Sequence, residues 1–575
     1  MKEVRVIAET GAVSLALNLV DEHQNGLTIH SELERWLQWE RERIALYQLG
    51  ERWDVLQKRI ESYQQDLPSE FYLWAKQQQV DALLTLKQAD KARQILQVLV
   101  WSEAKHKSLD DKVWLSKWQK RIIKSYLIEN NAKDALLASQ RYYQDYAGND
   151  IDDRLLRARI LLANNREDEV VALLAKDTRH PQGGMLYLLA QLRSNARPAQ
   201  KVWQAARRQM RGKWASEELK YMLWAVAAEA AKRSGDRPSA VNALEFVLAG
   251  HKNTDLPAGL FNFSADTLWN SYIDYALHLG NKAQFLVGND KQWLQAAARA
   301  EKKYPVRARS FYALIMLRGQ DETMRMQAVK GFLNLMHKRK RGAELVMKLY
   351  LKSSYYESLP AIPKTIRFDL IDIALSRSNI ELASNLMATI ESAPDGLDNY
   401  QWQLRRARIF VLGGKVDKGS ETLKQLIEQK KVFTKKELDQ FLQVVFDLQT
   451  LTEHEHAYQL FYAILPKINE TAQQREIFFW MADSQKAQQN YLAAATLYLR
   501  SALHADNNGL DPWGQTARYQ TAEMLAEANL LKDALVLYEK LLATTKEPAR
   551  RAVLKHEIQK LWLLKNNSQD SNADE

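Results

Sequence analysis

The feature that most constrains this chain is a pattern of apolar and small residues written twice in succession between Phe478 and Leu541. Phe478, Met481, Ala482, Ala494, Tyr498 and Ser501 mark the first copy; Ala522, Leu525, Ala534, Tyr538 and Leu541 mark the second, in a register forty residues on. A repeat of this period encodes one helix-turn-helix unit, which cannot bury its apolar face alone and must stack on neighbours. The register extends backwards: small residues fall at Ala383, Gly419, Ala457, Ala494 and Ala534, at steps of 36, 38, 37 and 40. Upstream, Ala92, Ala135, Val170 and Ala240 take the same place, with drift absorbed in the connecting loops.

A chain of 575 residues is too long for one compact core, but a stacked array grows in one dimension and escapes that limit. With only 21 glycines and 12 prolines, and with abundant Ala, Leu, Gln, Lys, Glu and Arg, there is little material for tight β-turns. The expectation is an all-α superhelical solenoid of stacked antiparallel helix pairs, essentially without β-sheet. Residues 1–70 form an aromatic-rich helical cap, 71–250 a first set of repeats, 251–365 an irregular helical middle, 366–565 a second set and 566–575 a disordered tail. The loop from Gly250 to Asp266 separates the two halves. In the cap, Trp36, Trp39 and Trp53 recur at helical intervals and seal the first layer; the competing reading makes these three tryptophans an aromatic docking patch.

Several chemistries lack their residues. No cysteine is present, which excludes disulfides, thiol catalysis and Cys-based zinc sites. That absence also favours an exported setting, so a periplasmic location is expected, with the cytoplasm as the alternative. The short apolar run Gly11–Val20 reads as an amphipathic helix; if the protein is exported, a signal or anchor has been removed ahead of it. No run reaches the eighteen or more apolar residues that span a bilayer, so no transmembrane segment is expected. Gly413-Gly414 is an isolated turn pair rather than a phosphate loop, His454-Glu455-His456 lacks the spacing of a zinc motif, and no nucleophile elbow occurs. The chain is therefore expected to be no enzyme and to use no metal, cofactor or small-molecule substrate. The net charge of +11 favours acidic partners without naming one. Its densest clusters, Arg207, Arg208, Arg211 and Lys213, and Lys338 to Arg341, read as helix ends, where cations favour the carbonyl end of the helix dipole.

The marked positions resemble the tetratricopeptide repeat. There, a small residue of the first helix (Ala482, Ala522) meets a small residue of the second (Ala494, Ala534), and an aromatic one turn on (Tyr498, Tyr538) completes the contact. The resemblance implies a concave groove lined by the first helix of each unit, which binds partner proteins or extended segments. Carried onto this chain, the groove positions are Lys117, Lys120, Lys124, Arg159 and Arg408, and then Asp372, Glu476, Asp483 and Glu523, running from basic to acidic. The Lys and Asn set with which such repeats clamp a terminal carboxylate is not found. The function implied is a noncatalytic scaffold or adaptor for a partner protein, within a bacterial envelope or secretion assembly. The alternative is a carrier of an anionic polymer, an envelope polysaccharide or nucleic acid, in the basic N-terminal groove.

Overall fold

The computed structural model describes residues 2–9, 13–27, 32–63, 67–103, 109–146, 150–212, 215–250, 256, 259–286, 288–394, 396–504 and 511–570, and among these it is helical with no strand. It divides into two compact units, residues 1–353 and 354–575.

The N-terminal unit begins with α1 (Lys2–Glu9), α2 (Val13–Asn25), α3 (Leu33–Leu49) and α4 (Trp53–Glu61). Paired helices follow: α5 (Ser69–Thr85) with α6 (Ala89–Glu103), α7 (Leu109–Ile128) with α8 (Ala132–Tyr146), and α9 (Ile151–Ala163) with α10 (Glu167–Leu173). Next come α11 (Pro181–Arg193) with α12 (Ala199–Met210), and α13 (Glu217–Arg233) with α14 (Arg237–Ala249). The unit closes on α15 (Ala265–Lys282), α16 (Asp290–Ala300), α17 (Pro305–Arg318), α18 (Glu322–His337) and α19 (Gly342–Leu351). The C-terminal unit contains α20 (Lys364–Ser376) with α21 (Ile380–Met387), α22 (Asn399–Leu412) with α23 (Val416–Gln429), and α24 (Lys435–Thr450) with α25 (His454–Ile464). Then follow α26 (Thr471–Ala487) with α27 (Tyr491–Leu503), α28 (Pro512–Glu527) with α29 (Leu531–Thr544), and the terminal α30 (Pro548–Asp570). Within each unit a helix packs on its neighbours in the chain, and first helices also touch first helices, as in α9, α11 and α13 or α22 and α24.

One turn builds the pairs. Lys87, Asn130, Asn165, Gly235, Ser378, Gly414, Thr452, Gln489 and Asn529 each take a left-handed φ, between +56° and +75°. The next residue donates its N–H five residues back into the first helix, at 2.8–3.0 Å, as in Gln88 to Leu83, Asn131 to Tyr126 and Asn490 to Gln485. This satisfies a carbonyl that the helix end would otherwise leave open. The carbonyl of that donor residue commonly accepts the first bond of the second helix, from the N–H of Ala92, Ala135, Ala240, Ala383, Gly419, Ala457, Ala494 or Ala534. The small anchors read from the sequence therefore stand five residues after the left-handed residue, in the first turn of the second helix. There they are buried: Ala92, Ala135, Val170, Ala383, Ala457, Ala494 and Ala534 are fully enclosed and Ala240 nearly so. At Gly419 even a methyl group is too much, since a Cβ would lie 2.6 Å from Val411 Cγ2 and 3.0 Å from the Ala407 carbonyl oxygen.

The structure differs from two expectations about where the chain divides and ends. The loop at 250–266 does not divide the chain, because the N-terminal unit continues through it to residue 353. The physical reason is Glu245 on α14, fully enclosed, which accepts from Arg309 of α17 at 2.6 and 2.7 Å, from Tyr272 of α15 at 2.6 Å, and pairs with Arg339 at 2.7 Å. A ring cluster of Trp269, Tyr272, Phe332 and Tyr350 lies against it, and Trp269 Nε1 donates to the Leu349 carbonyl at 3.1 Å. The loop residues 251–255 themselves lie outside the described residues. In the expected tail, 566–570 continue α30, while 571–575 lie outside the described residues.

Trp36 is only 8% exposed and packs edge-on against Tyr63 and Phe71, so it is a core residue. Trp53 packs half-buried on the same cluster, and Trp39 stacks on His23 at 4.9 Å between ring centres. Beneath them the buried Glu40 accepts from Arg59 (2.8 and 3.1 Å), Tyr63 (2.7 Å) and Gln24 (2.7 Å). Burial alone would raise the Glu40 carboxyl; the Arg59 guanidinium and the Tyr63 and Gln24 donors outweigh it and hold the pKa below the ordinary value.

Candidate interaction surface

The positions read as groove-lining do lie on first helices, and four of them close ion pairs between successive repeats. Asp372 of α20 pairs with Arg405 of α22, Arg408 of α22 with Asp447 of α24 at 2.8 Å, and Glu523 of α28 with Lys486 of α26 at 3.1 Å. In the N-terminal unit Lys120 of α7 reaches Asp153 of α9 at 2.6 Å, and Arg121 of α7 grips both oxygens of Asp81 on α5 at 2.8 and 2.7 Å. Partners in this ladder stand 33 to 40 residues apart, the repeat period written in charge. Part-exposed pairs of this kind contribute little individually, on the order of 0–1 kcal/mol. Their consequence is that these side chains are already engaged within the chain. A continuous basic track for a polymer is accordingly interrupted at Lys120 and Arg121.

Three basic positions remain open. Lys117 is exposed, with its ammonium 4.6 Å from the Trp114 ring centre. Lys124 reaches solvent without a carboxylate at ion-pair distance among the described residues. Arg159 is half-buried and donates to Gln182 Oε1 at 3.3 Å. In the C-terminal unit Asp483 accepts from the Tyr498 hydroxyl. Burial raises its carboxyl above the usual range, the Tyr498 hydrogen bond and Lys486 opposing only in part. Glu476 is also held up, first by lost hydration and then by Asp439.

Sequence reading missed the strongest feature of this surface. Phe446 of α24 meets Trp480 of α26 at 5.0 Å between ring centres, Trp480 meets Phe479 at 5.6 Å, and Phe479 meets Trp513 of α28 at 5.1 Å. The four rings are half-buried and cross three successive first helices. Glu476, Trp480 and Asp483 share one stripe of α26, because residues three and four apart stack on a helix face. The rings fall at different places along their helices, Trp513 in the first turn of α28 and Phe446 and Trp480 about three turns into α24 and α26, so no recurring sequence position announced them.

Only part of the second basic cluster turns inward; Arg207, Arg208, Arg211, Lys338 and Lys340 are exposed. Arg339 closes on the buried Glu245, Arg341 donates to the Gly250 carbonyl at 2.7 Å, and the Arg207 guanidinium lies 4.6 Å from the Trp203 ring centre. Lys213 and Trp214 lie outside the described residues. His456 faces Asp417 at 3.3 Å and Glu453 at 3.2 Å, a contact between α25 and α23.

Stacked antiparallel pairs, a shared left-handed turn and an enclosed small anchor define an α-helical repeat array of the tetratricopeptide-like kind. No protein-family model matches the chain, and no curated protein matches it. Among solved structures it is similar to one described as the APC/C hetero-tetramer Cut9-Hcn1, at 11% identity over 96% of this chain and 94% of that one, with a TM-score of 0.29. It is also similar to yeast Tom70, at 10% identity over 87% of this chain and 97% of that one, with a TM-score of 0.22. A circular tandem repeat protein with novel repeat topology matches at 11% identity over 98% of both chains, with a TM-score of 0.09. Superposition this loose carries no argument about function, and the packing described above stands on its own.

Proposed function

We propose that this protein is a noncatalytic scaffold that holds a partner protein, or an extended segment of one, along a face lined by first helices. The observation that carries this reading is the half-buried row Phe446–Trp480–Phe479–Trp513 across α24, α26 and α28, flanked by Glu476 and Asp483. Aromatic rings supply contact area at low entropic cost and dominate binding energy, while flanking charge sets register and rate of encounter. A strip crossing several helices suits an extended occupant better than a compact small molecule. The reading includes an exported, periplasmic setting in a bacterial envelope or secretion assembly, of which the absence of cysteine favours export alone.

The test is site-specific photocrosslinking in the native host. Benzoylphenylalanine placed at Glu476 should capture one recurring protein segment, whereas the same probe at Tyr462, exposed on the second helix α25, should not. Trp480→Ala should weaken the captured segment by roughly tenfold or more, the loss expected of a central aromatic anchor. Equal capture from both positions, or none from Glu476, refutes the proposal.

A further inference from the structure

Helix α30 presents an apolar surface that the described residues of its own unit do not cover. Val553, Trp562, Leu563 and Leu564 are 48 to 56% exposed, and the last three follow the enclosed Leu561, so one turn of the helix is apolar on every side. A turn of this kind is ordinarily buried. Beside Val553 lies a mainly apolar cleft of about 330 Å³, walled by Tyr519 of α28, Leu541 of α29 and Leu554 of α30.

Along α30, Val553, Glu557, Lys560 and Leu564 follow one another at steps of four, three and four residues, which places them in one stripe. Apolar groups stand at its ends and opposite charges at its centre. The order is self-complementary. A two-fold axis beside the helix, between Ile558 and Gln559, sets Val553 of each copy opposite Leu564 of the other and Glu557 opposite Lys560. A parallel pairing would oppose like charges instead. Within one chain Lys560 lies 3.8 Å from Glu557, too long for a hydrogen bond, and its side chain is 59% exposed. Arg550, on the flank of the stripe, is already held by Glu547 at 3.3 Å.

The central charges select the occupant. A helix that lies on an anionic bilayer gathers cations beside its apolar face, where a carboxylate opposes binding, and Glu557 stands inside the stripe. A second copy answers both charges. We infer that two copies of this chain associate through antiparallel α30 helices, with Leu564 of each seated at the mouth of the other's cleft, beside Val553. This goes beyond the scaffold reading and does not depend on it. One helix pair is a small interface, so the association is expected at a Kd on the order of 10 µM.

Sedimentation equilibrium of the full chain at low salt, from about 1 to about 200 µM, should show monomer passing to dimer. Leu564→Glu should weaken the dimer at least about tenfold, since the change is felt on both sides of the axis. Glu557→Lys and Lys560→Glu should each weaken self-association about tenfold, because each replaces two attractions with two repulsions. An equimolar mixture of these two variants should dimerise again, with opposite charges restored between copies although each chain has lost its own Glu557–Lys560 contact. The chain has no cysteine, so introduced thiols report the register. Val553→Cys mixed with Leu564→Cys should give a mixed disulfide on oxidation, while neither alone should link, its two thiols lying about 16 Å apart along the pair. A chain that stays monomeric throughout overturns the inference, and binding of that monomer to phosphatidylglycerol vesicles would assign the stripe to a lipid surface instead. A dimer that Leu564→Glu leaves intact, a mixture no tighter than its components, or a disulfide formed equally well by either single variant overturns it as well.

Discussion

Replacing Glu245 with leucine should loosen the second half of the N-terminal unit more than any surface change. The carboxylate is fully enclosed and holds Arg309, itself 2% exposed, through two short bonds, while Tyr272 and Arg339 complete its shell. Removing the anion leaves an enclosed guanidinium without a partner, a defect that costs about 3–5 kcal/mol. Because Glu245 joins α14 to α15 and α17, the cost should appear as local opening of those helices. Hydrogen exchange read by mass spectrometry is the assay. At about 1.4 kcal/mol per decade, peptides covering 237–249 and 305–318 should exchange roughly a hundred- to a few-thousand-fold faster wherever exchange proceeds through this opening. Peptides of α26 to α29 in the other unit should not change. Combining Glu245→Leu with Arg309→Met should restore much of the protection, since an apolar pair of similar volume can replace a buried ion pair at little cost. An acceleration below about tenfold, or a double variant worse than the single one, would refute the assignment of Glu245 as the tie across this region.

Two other consequences are open to measurement. Thr452 is a β-branched residue at φ +64° in the turn between α24 and α25; Thr452→Gly should slow exchange of those helices, corresponding to a gain of about 0.5–1 kcal/mol, and faster exchange would contradict the strain argument. Burial raises the Asp483 carboxyl above its ordinary value, so the folded state binds more protons than the unfolded one over that interval. Stability of the C-terminal unit should then fall as pH rises from about 3.9 through the raised value, and Asp483→Asn should flatten that slope in denaturation curves taken across the range; an unchanged slope in the variant would show that another group is responsible.

The repeat was legible because packing leaves a strong imprint on residue type. Where two helices approach closely, only small residues fit, so Ala494, Ala534 and Gly419 announce themselves. The turn five residues earlier was not legible, although it is as regular. Left-handed backbone tolerates Asn and Gly best, yet Lys87, Ser378, Thr452 and Gln489 also occupy it, because stacking of the two helices outweighs the local cost of about 1–2 kcal/mol. The interaction surface was legible only as a set of positions. Lys120, Arg408 and Glu523 were placed on first helices from their register, but nothing local to them shows that Asp153, Asp447 and Lys486 lie opposite.

By itself the sequence determined that this chain is helical, that it is built from paired helices, and where the tight contact within each pair falls. Those properties follow from side-chain volume and spacing along one helix, which the order of residues records directly. Tertiary structure decided which charges are spent and which are left over, since that depends on what stands across a gap of 33 to 40 residues. It also decided that Glu245 binds the irregular helices into the N-terminal unit, and that four aromatic rings line up across α24, α26 and α28. Side chains meet across helices through the rotation of one repeat on the next, a quantity that no single segment of the chain encodes.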